Sequence, residues 1–415
     1  MDTRFRFKAL TILVFCAYIF WGSFGLDLTL RHVDLSLNSN ETRIPLHRVF
    51  ISLTFIIFLF NVHQVLNVCL KNKLLIALLF YSLLTAAWAS SPGDVFKNFI
   101  FLLSALIISI MTAAAFKNNQ VVLIRWLFLL FLLMTFASIV TALYFPQLGI
   151  NFKNFGKPRW IGITTHPNSL GLQALVLIWL SSNLFFLTKS KFEKSLILFA
   201  LIAGFFTIIK ADSITSLITA GVITALTCYY YFFNRLSLSN KIILFTFGLL
   251  SFLFLVTFYM NTSELVSSTF ESTGRNSTFS GRAIQWEIAI REASDNLIFG
   301  LGFDELEFLT KKYQINMRQL HNGFIEVLVK GGLIACLLLA FTLIRTFFHQ
   351  IRIKLSHKHD FIFFNTGLIM VLLHNVTESS ILQGLSTLSI FLLFIVVSTS
   401  LVKETNSSKL APTGY

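Results

Sequence analysis

The chain reads as a succession of long apolar runs divided by short polar breaks. Runs of about 18 residues or more recur from end to end, and each is long enough as a helix to cross a hydrocarbon core of about 30 Å. About twelve spans are expected, near 8–26, 47–69, 73–90, 98–116, 121–145, 167–188, 195–211, 213–233, 241–260, 322–348, 361–380 and 384–402. The first follows Arg4, Arg6 and Lys8, as a signal peptide would. It is bulky and aromatic at Tyr18, Phe20 and Trp21 and has no small-x-small cleavage site, so it is expected to remain as a signal-anchor helix.

The polar breaks alternate in character. Every second one is basic, with Lys71 and Lys73, then Lys117, then Lys189, Lys191 and Lys194, then Arg235 and Lys241, then Arg352, Lys354 and Lys358. Lys403 and Lys409 continue the series in the tail. Basic loops stay in the cytoplasm, so both chain ends are expected inside. The opposite side then receives residues 26–46, 146–166 and 261–321. The expected plan is spans one to nine over residues 1–260, a large periplasmic loop over 261–321, spans ten to twelve over 322–402, and a cytoplasmic tail over 403–415.

The large loop opens with a Ser/Thr/Asn-rich run from Asn261 to Ser280 that reads as flexible. A helix is predicted from about Gly281 to Ala293, with Ile284, Ile288 and Ala289 on one face. Gly300-Leu301-Gly302 ends it, and Lys311, Lys312 and Arg318 lead to His321 at the mouth of the tenth span.

Composition agrees with an all-α polytopic membrane protein: of 415 residues 55% are hydrophobic and 13% charged, and mean hydropathy is +0.75. The net charge of +14 is spread over loops rather than gathered on one soluble face, so it reads as topogenic and gives no case for nucleic acid. Cys16, Cys69, Cys228 and Cys336 lie inside apolar runs, without metal-type spacing or a disulfide framework. No Walker-type phosphate loop, internal repeat or coiled coil is seen, so ATP-driven transport would need a motor from elsewhere.

Charges at span edges are costly and therefore informative. Lys210 and Asp212 join two apolar runs, either as a solvated turn or at the rim of a cavity. Arg159 beside Trp160 is an interfacial anchor or a group projecting into a site, and His166-Pro167-Asn168 follows, with Pro167 suited to the first turn of the sixth span. Arg282 lies on the loop helix. His321-Asn322 stands at a loop-to-span junction, and Glu326 lies about one turn further on, at a spacing that shares a face. Glu378 closes the eleventh span, capping the bundle rim or sharing the site. Arg159, His166, Lys210, Asp212, Arg282, His321 and Glu378 all fall on the outer side of the expected topology, and arginine is the side chain best suited to bidentate binding of phosphate oxygens.

The ordered run Ser280-Gly281-Arg282, Trp286, Phe299-Gly300-Leu301-Gly302, His321-Asn322-Gly323-Phe324-Ile325-Glu326 and Gly331-Gly332 resembles the signature of the O-antigen ligase/polymerase superfamily. Arg159-Trp160, Gly162 and His166-Pro167-Asn168-Ser169-Leu170-Gly171 resemble an upstream motif of the same superfamily, and with the span layout the likeness covers about 100 to 400. The resemblance implies a bacterial inner-membrane, GT-C-like glycosyltransferase with its site facing the periplasm and without metal or cofactor. Its donor would be a glycan on undecaprenyl pyrophosphate. Its acceptor would be lipid A–core for ligases, a lipid-linked repeat unit for Wzy-type polymerases of O-antigen, capsule or exopolysaccharide, and a Ser or Thr for protein O-oligosaccharyltransferases. A chain-length regulator is a further partner to consider.

Where ligases carry Ser-Arg or Thr-Arg after the seventh span, this chain has Asp212-Ser213-Ile214-Thr215-Ser216, which with Asn375 to Ser379 looks more like the polymerases. In the expected mechanism Arg282, Arg159 and Lys210 hold the pyrophosphate, His321 is the general base, and Glu326 orients the imidazole. Asp212, His166, Asn322 and Glu378 line the substrate. The competing class is a transporter of lipid-linked oligosaccharide, which such folds usually build from broken helices and repeats about a midplane site.

Overall fold

A computed structural model describes residues 3–23, 39–152, 158–232, 278–303, 306–315, 317, 319–353, 357–384 and 386–402. The expected ninth span at 241–260, the start of the large loop at 261–277 and the tail at 403–415 lie outside the described residues, as do Arg318 and Lys354.

The described chain is helical almost throughout. In order come α1 (Thr3–Ser23), α2 (Ser39–Leu59), α3 (Val62–Lys71), α4 (Lys73–Leu84), α5 (Pro92–Phe116), α6 (Gln120–Tyr144), α7 (Pro167–Leu187), α8 (Lys191–Ala211), α9 (Ile214–Phe232), α10 (Thr278–Ser294), α11 (Glu307–Tyr313), α12 (Gly323–Ile353), α13 (Lys358–His374) and α14 (Thr387–Leu401). A two-residue antiparallel ribbon interrupts them, β1 (Ile150–Asn151) against β2 (Arg159–Trp160), with Asn151 opposite Arg159. Among the described residues six helices, α5 to α9 and α12, are long and apolar enough to cross a membrane. Lys8–Phe20, Lys73–Ala87 and α14 are shorter apolar helices.

The expected second span at 47–69 is broken. Arg48–Leu59 and Val62–Lys71 meet at 92°. Asn61 sits at the corner, its side-chain amide donating to the Ile57 carbonyl at 2.9 Å, a local bond that competes with helix continuation.

At the centre is α7, the most enclosed of the six, packed by α6, α8 and α9. Trp179 is fully buried there, stacked on Phe363 with ring centroids 4.5 Å apart and edge-on to Phe391, while its ring N–H donates to Thr366 Oγ1 at 3.1 Å. Apolar packing alone does not distinguish one helix from another in lipid, so polar side chains add register. Tyr230 donates to Asn365 Oδ1 at 2.8 Å, and the Asn365 amide donates to Gln350 Oε1 at 3.1 Å, joining α9, α13 and α12.

The tenth expected span is a kinked helix. Gly332 in α12 has φ 62° and ψ −164°, which interrupts the internal hydrogen bonds. The segment after α10 fills the gap: the N–H groups of Leu301 and Gly302 donate to the carbonyls of Val329 and Lys330 at 2.9 and 2.8 Å, and those of Leu333 and Ile334 donate to Leu297 and Ile298 at 2.9 and 3.3 Å. The close approach requires glycine, since a Cβ on Gly300 would lie 2.5 Å from Gly332 N and Lys330 O.

Candidate active site

The chemistry collects where α7, α9 and α12 begin and where α8 and α13 end. The turn after α13 organises it. Asn375 closes that helix, and its side-chain oxygen accepts from Ser380 N at 2.8 Å, Ser380 Oγ at 2.9 Å and Ile381 N at 3.1 Å. Thr377 and Glu378 are thereby held at the end of the bundle, where the Thr377 hydroxyl meets that of Thr215 from α9 at 2.5 Å.

Glu378 is the meeting point. Its Oε1 accepts from Asn168 Nδ2 at 2.7 Å and lies 3.5 Å from Arg282 Nη2, while its Oε2 lies 3.2 Å from His321 Nδ1. The side chain is 14% exposed. Burial pushes its carboxyl up, but the His321 hydrogen bond and the charges of His321, His374 and Arg282 act together the other way and hold it below the usual carboxylate range. With Glu378 ionised, a neutral His321 ring donates its Nδ1 hydrogen and presents Nε2 as a proton acceptor.

Each partner is fixed by the chain around it. Arg282 also donates from Nη1 to the Thr377 carbonyl at 2.8 Å. Its helix is longer than expected, starting at Thr278, and is held by the Trp286 ring N–H donating to the Leu320 carbonyl. Ala289 and Ala293 of α10 pack with Leu306, Leu309, Met317, Leu320 and Val329 as a small core of their own. Ile284, expected on the packed face, is instead 50% exposed, and the apolar face runs through Ala289 and Ala293.

His321 itself has φ +51°, in the left-handed region that is unfavourable for a side chain with a Cβ. Asn322 holds it there. Its Oδ1 caps α12 by accepting from Phe324 N and Ile325 N, both at 3.0 Å, its Nδ2 donates to Val376 O at 2.9 Å, and its backbone N–H donates to Ser379 Oγ at 3.0 Å.

Arg159 reaches the turn between α8 and α9. Its Nε donates to the Ala211 carbonyl at 3.0 Å, and its Nη2 to the Asp212 carbonyl at 2.9 Å and to Asn168 Oδ1 at 3.1 Å. A cation at the C-terminal end of α8 complements the carbonyls exposed there. Asp212 terminates α8 in the left-handed conformation, φ 52°, with its carboxylate 4.0 Å from Arg159 Nε. Lys210 lies over the Trp160 and Phe206 rings, 5.9 and 5.7 Å from their centroids, at the same rim.

His166 caps α7, its Nδ1 accepting from Asn168 N at 3.1 Å. That bond leaves Nε2 as the protonated nitrogen of the neutral ring. Partial desolvation, and then the Arg159 guanidinium, hold its pKa below the usual histidine value.

One expected contact is not formed. Glu326 was to orient His321 from one turn along the helix, but its carboxylate is engaged elsewhere: Oε1 lies 2.8 Å from Lys330 Nζ and accepts from Gln383 Nε2 at 3.2 Å, while Oε2 accepts from Leu320 N at 3.4 Å. The reason is local. His321 precedes α12 in a left-handed turn, so helical spacing does not carry its side chain onto the face of Glu326. Asn168 was not singled out for the site, although it links Arg159 to Glu378. Its place in the motif from His166 to Gly171 was the signal in the sequence.

Residues 198–340 match the family model described as "O-Antigen ligase". That interval contains Arg282, His321, Glu326 and the helix break, whereas Arg159, His166 and Glu378 come from outside it. The chain is also similar to the "Exopolysaccharide production protein ExoQ" of Rhizobium meliloti (strain 1021), 27% identical over 225 residues, which cover 49% of this chain and 50% of the relative. The chain thus spans about half the length of the curated relative it matches. These two matches agree with the ordered motifs and support a relationship to the O-antigen ligase/polymerase superfamily.

Proposed function

We propose that the protein transfers a glycan from an undecaprenyl-pyrophosphate-linked donor, at the periplasmic face of a bacterial inner membrane, as a Wzy-type polymerase. In this reading it is an inverting GT-C glycosyltransferase of twelve spans that uses no metal or cofactor, with residues 261–321 forming its periplasmic loop. The observation that carries the reading is the shared carboxylate: Glu378 touches His321 on one oxygen and stands beside Arg282 on the other. A base and a phosphate-binding cation are thus brought to one point.

The acceptor hydroxyl gives its proton to His321 Nε2 while its oxygen attacks the anomeric carbon. The bond from that carbon to the pyrophosphate breaks, and the electron pair leaves with undecaprenyl pyrophosphate. A single displacement inverts the anomeric centre. Glu378 stabilises the imidazolium that forms, as a carboxylate beside a protonating base does. Two of the five N–H donors of Arg282 are taken up by Thr377 and Glu378, and the others serve the pyrophosphate oxygens as charge develops on them. His166 offers its Nε2 hydrogen to a substrate oxygen, and Asn168 and Asn322 hold the carboxylate and the histidine in place. Arg159, Lys210 and Asp212 shape the rim of the same site.

The similarity to a relative named for exopolysaccharide production favours polymerisation, as does the run Asp212 to Ser216 where ligases carry Ser-Arg or Thr-Arg. The ligase reading, with lipid A–core as acceptor, is favoured by the description of the matching family model. Purified protein supplied with lipid-linked repeat units alone separates them. A ladder of lengths establishes the polymerase. A single shifted product that appears only when lipid A–core is added establishes the ligase and overturns the polymerase.

A further inference from the structure

Behind the site lies a buried ion pair that the reaction as described does not use. Lys330 and Glu326 are 2.8 Å apart on successive turns of α12, with side chains only 13% and 5% exposed. Such a pair is costly to bury, and removing one member leaves the other unpaired. It gains little by way of stability over an apolar pair of the same size, so its placement asks for another explanation.

The contacts of Glu326 supply one. Its Oε2 accepts from the backbone N–H of Leu320, the residue before His321. The Ser379 hydroxyl also bonds to the Glu326 carboxylate, and Ser379 Oγ accepts from the N–H of Asn322, the residue after His321. Ser379 in turn is the neighbour of Glu378. One carboxylate therefore grips the chain on both sides of the histidine and beside its acidic partner. Lys330 holds that carboxylate from below, and Gln383 holds it from the side at 3.2 Å. The carbonyl of Lys330, released by the break at Gly332, accepts from Gly302 N, so the same residue also ties the loop segment to the site.

We infer that Lys330 and Glu326 are positioning residues, which keep His321 in its left-handed conformation and set its contact with Glu378. The inference rests on the transferase reading for its kinetic test, and is tested apart from it by chemical modification. In Lys330→Met, Glu326 loses its counter-charge, and the grip on Leu320 and Ser379 slackens. A displacement of about 1 Å at a reacting group costs on the order of 10²-fold in rate.

The experiment compares wild type, Lys330→Met, Glu326→Gln/Lys330→Met and Glu326→Leu/Lys330→Met. Polymer formation is measured as kcat and KM. Carbethoxylation of His321 is followed by peptide mass spectrometry as a function of pH. The expected result is a fall on the order of 10²-fold in kcat for Lys330→Met with little change in KM, and a displaced pH midpoint for modification of His321. The Gln/Met double variant keeps an oxygen that accepts from Leu320 N and should recover most of the rate and the wild-type midpoint, whereas Leu/Met should not. Equal behaviour of the two double variants in rate and modification overturns the positioning role and leaves a packing role. If Lys330→Met does not fold, the two double variants decide alone. An inactive wild type whose His321 midpoint still shifts in Lys330→Met refutes the transferase reading and keeps the positioning pair.

Discussion

At the His321 end of the bundle, one carboxylate is shared by partners 57, 96 and 210 residues away in the chain. At the far end the described contacts draw in fewer elements, and Glu193 there accepts from Arg125 and from Thr188 five residues before it. Arg125 meets Glu193 at 2.8 Å, His357 lies 3.9 Å from Asp360 three residues on, and Tyr231 meets His359 at 3.1 Å. Both ends carry arginine, histidine and acid, so residue type does not separate them. Convergence does. The far end holds charges where helices stop, as basic loops require for orientation. The His321 end brings α7, α10, α12 and the turn after α13 to a single group that is mostly buried.

The comparison breaks first at Glu378. Replacement by Gln keeps the shape and the bond from Asn168 but removes the charge that stabilises a protonating His321. A fall of about 10²- to 10⁴-fold in polymer formation is expected, the range of a lost general-base function. The equivalent change at the far end, Glu193→Gln, should leave the rate within a factor of about two, since the group lies at the opposite end of the bundle from His321 and its ion pair is open to solvent. Rates measured on the same membrane preparation decide it. Equal losses at both ends would remove the distinction.

A second, smaller effect concerns acid stability. Glu378 is held below the carboxyl range, so the folded protein binds its proton less readily than the unfolded chain does. The stabilisation is complete above the unfolded value of about 4.3 and is lost as the pH falls through the lower folded value. Thermal unfolding in detergent should therefore show wild type losing more of its midpoint between neutral and acid pH than Glu378→Gln does. Parallel curves for the two would show that the carboxylate gains nothing from its partners.

The sequence made the helices legible because a lipid-facing span must be apolar along its length, and the ends of α5 to α9 fall close to the polar breaks. It made the bend at Asn61 illegible, because hydropathy averages over a corner whose cause is one side-chain amide. For the site, His321 and Arg282 were visible as costly charges. The group orienting His321 was read as Glu326, since periodicity reports only neighbours on one helix. The contact from His321 to Glu378 runs between two turns, and nothing local in the sequence encodes it. The same holds for Arg159, whose guanidinium spans from β2 to the end of α8. A cation missing from one segment of the motif is thus brought to that turn by another.

The smallest expected effect is also the sharpest check on the transporter alternative. Arg125 and Glu193 form a two-bond contact at 2.8 and 3.1 Å, with the arginine side chain 47% exposed and the glutamate 23%. Pairs so open to water contribute about 0 to 1 kcal/mol, because solvent screens the charges and both chains lose freedom. Arg125→Met should therefore lower the unfolding midpoint slightly and leave polymer formation unchanged. A transferase needs its substrates at one end alone. A carrier of lipid-linked oligosaccharide must receive its cargo at the opposite end, and there a fixed arginine would be a natural phosphate contact. If Arg125→Met left lipid-linked units trapped on the cytoplasmic leaflet, the two ends would have to be read as one pathway, and the shared carboxylate as its exit.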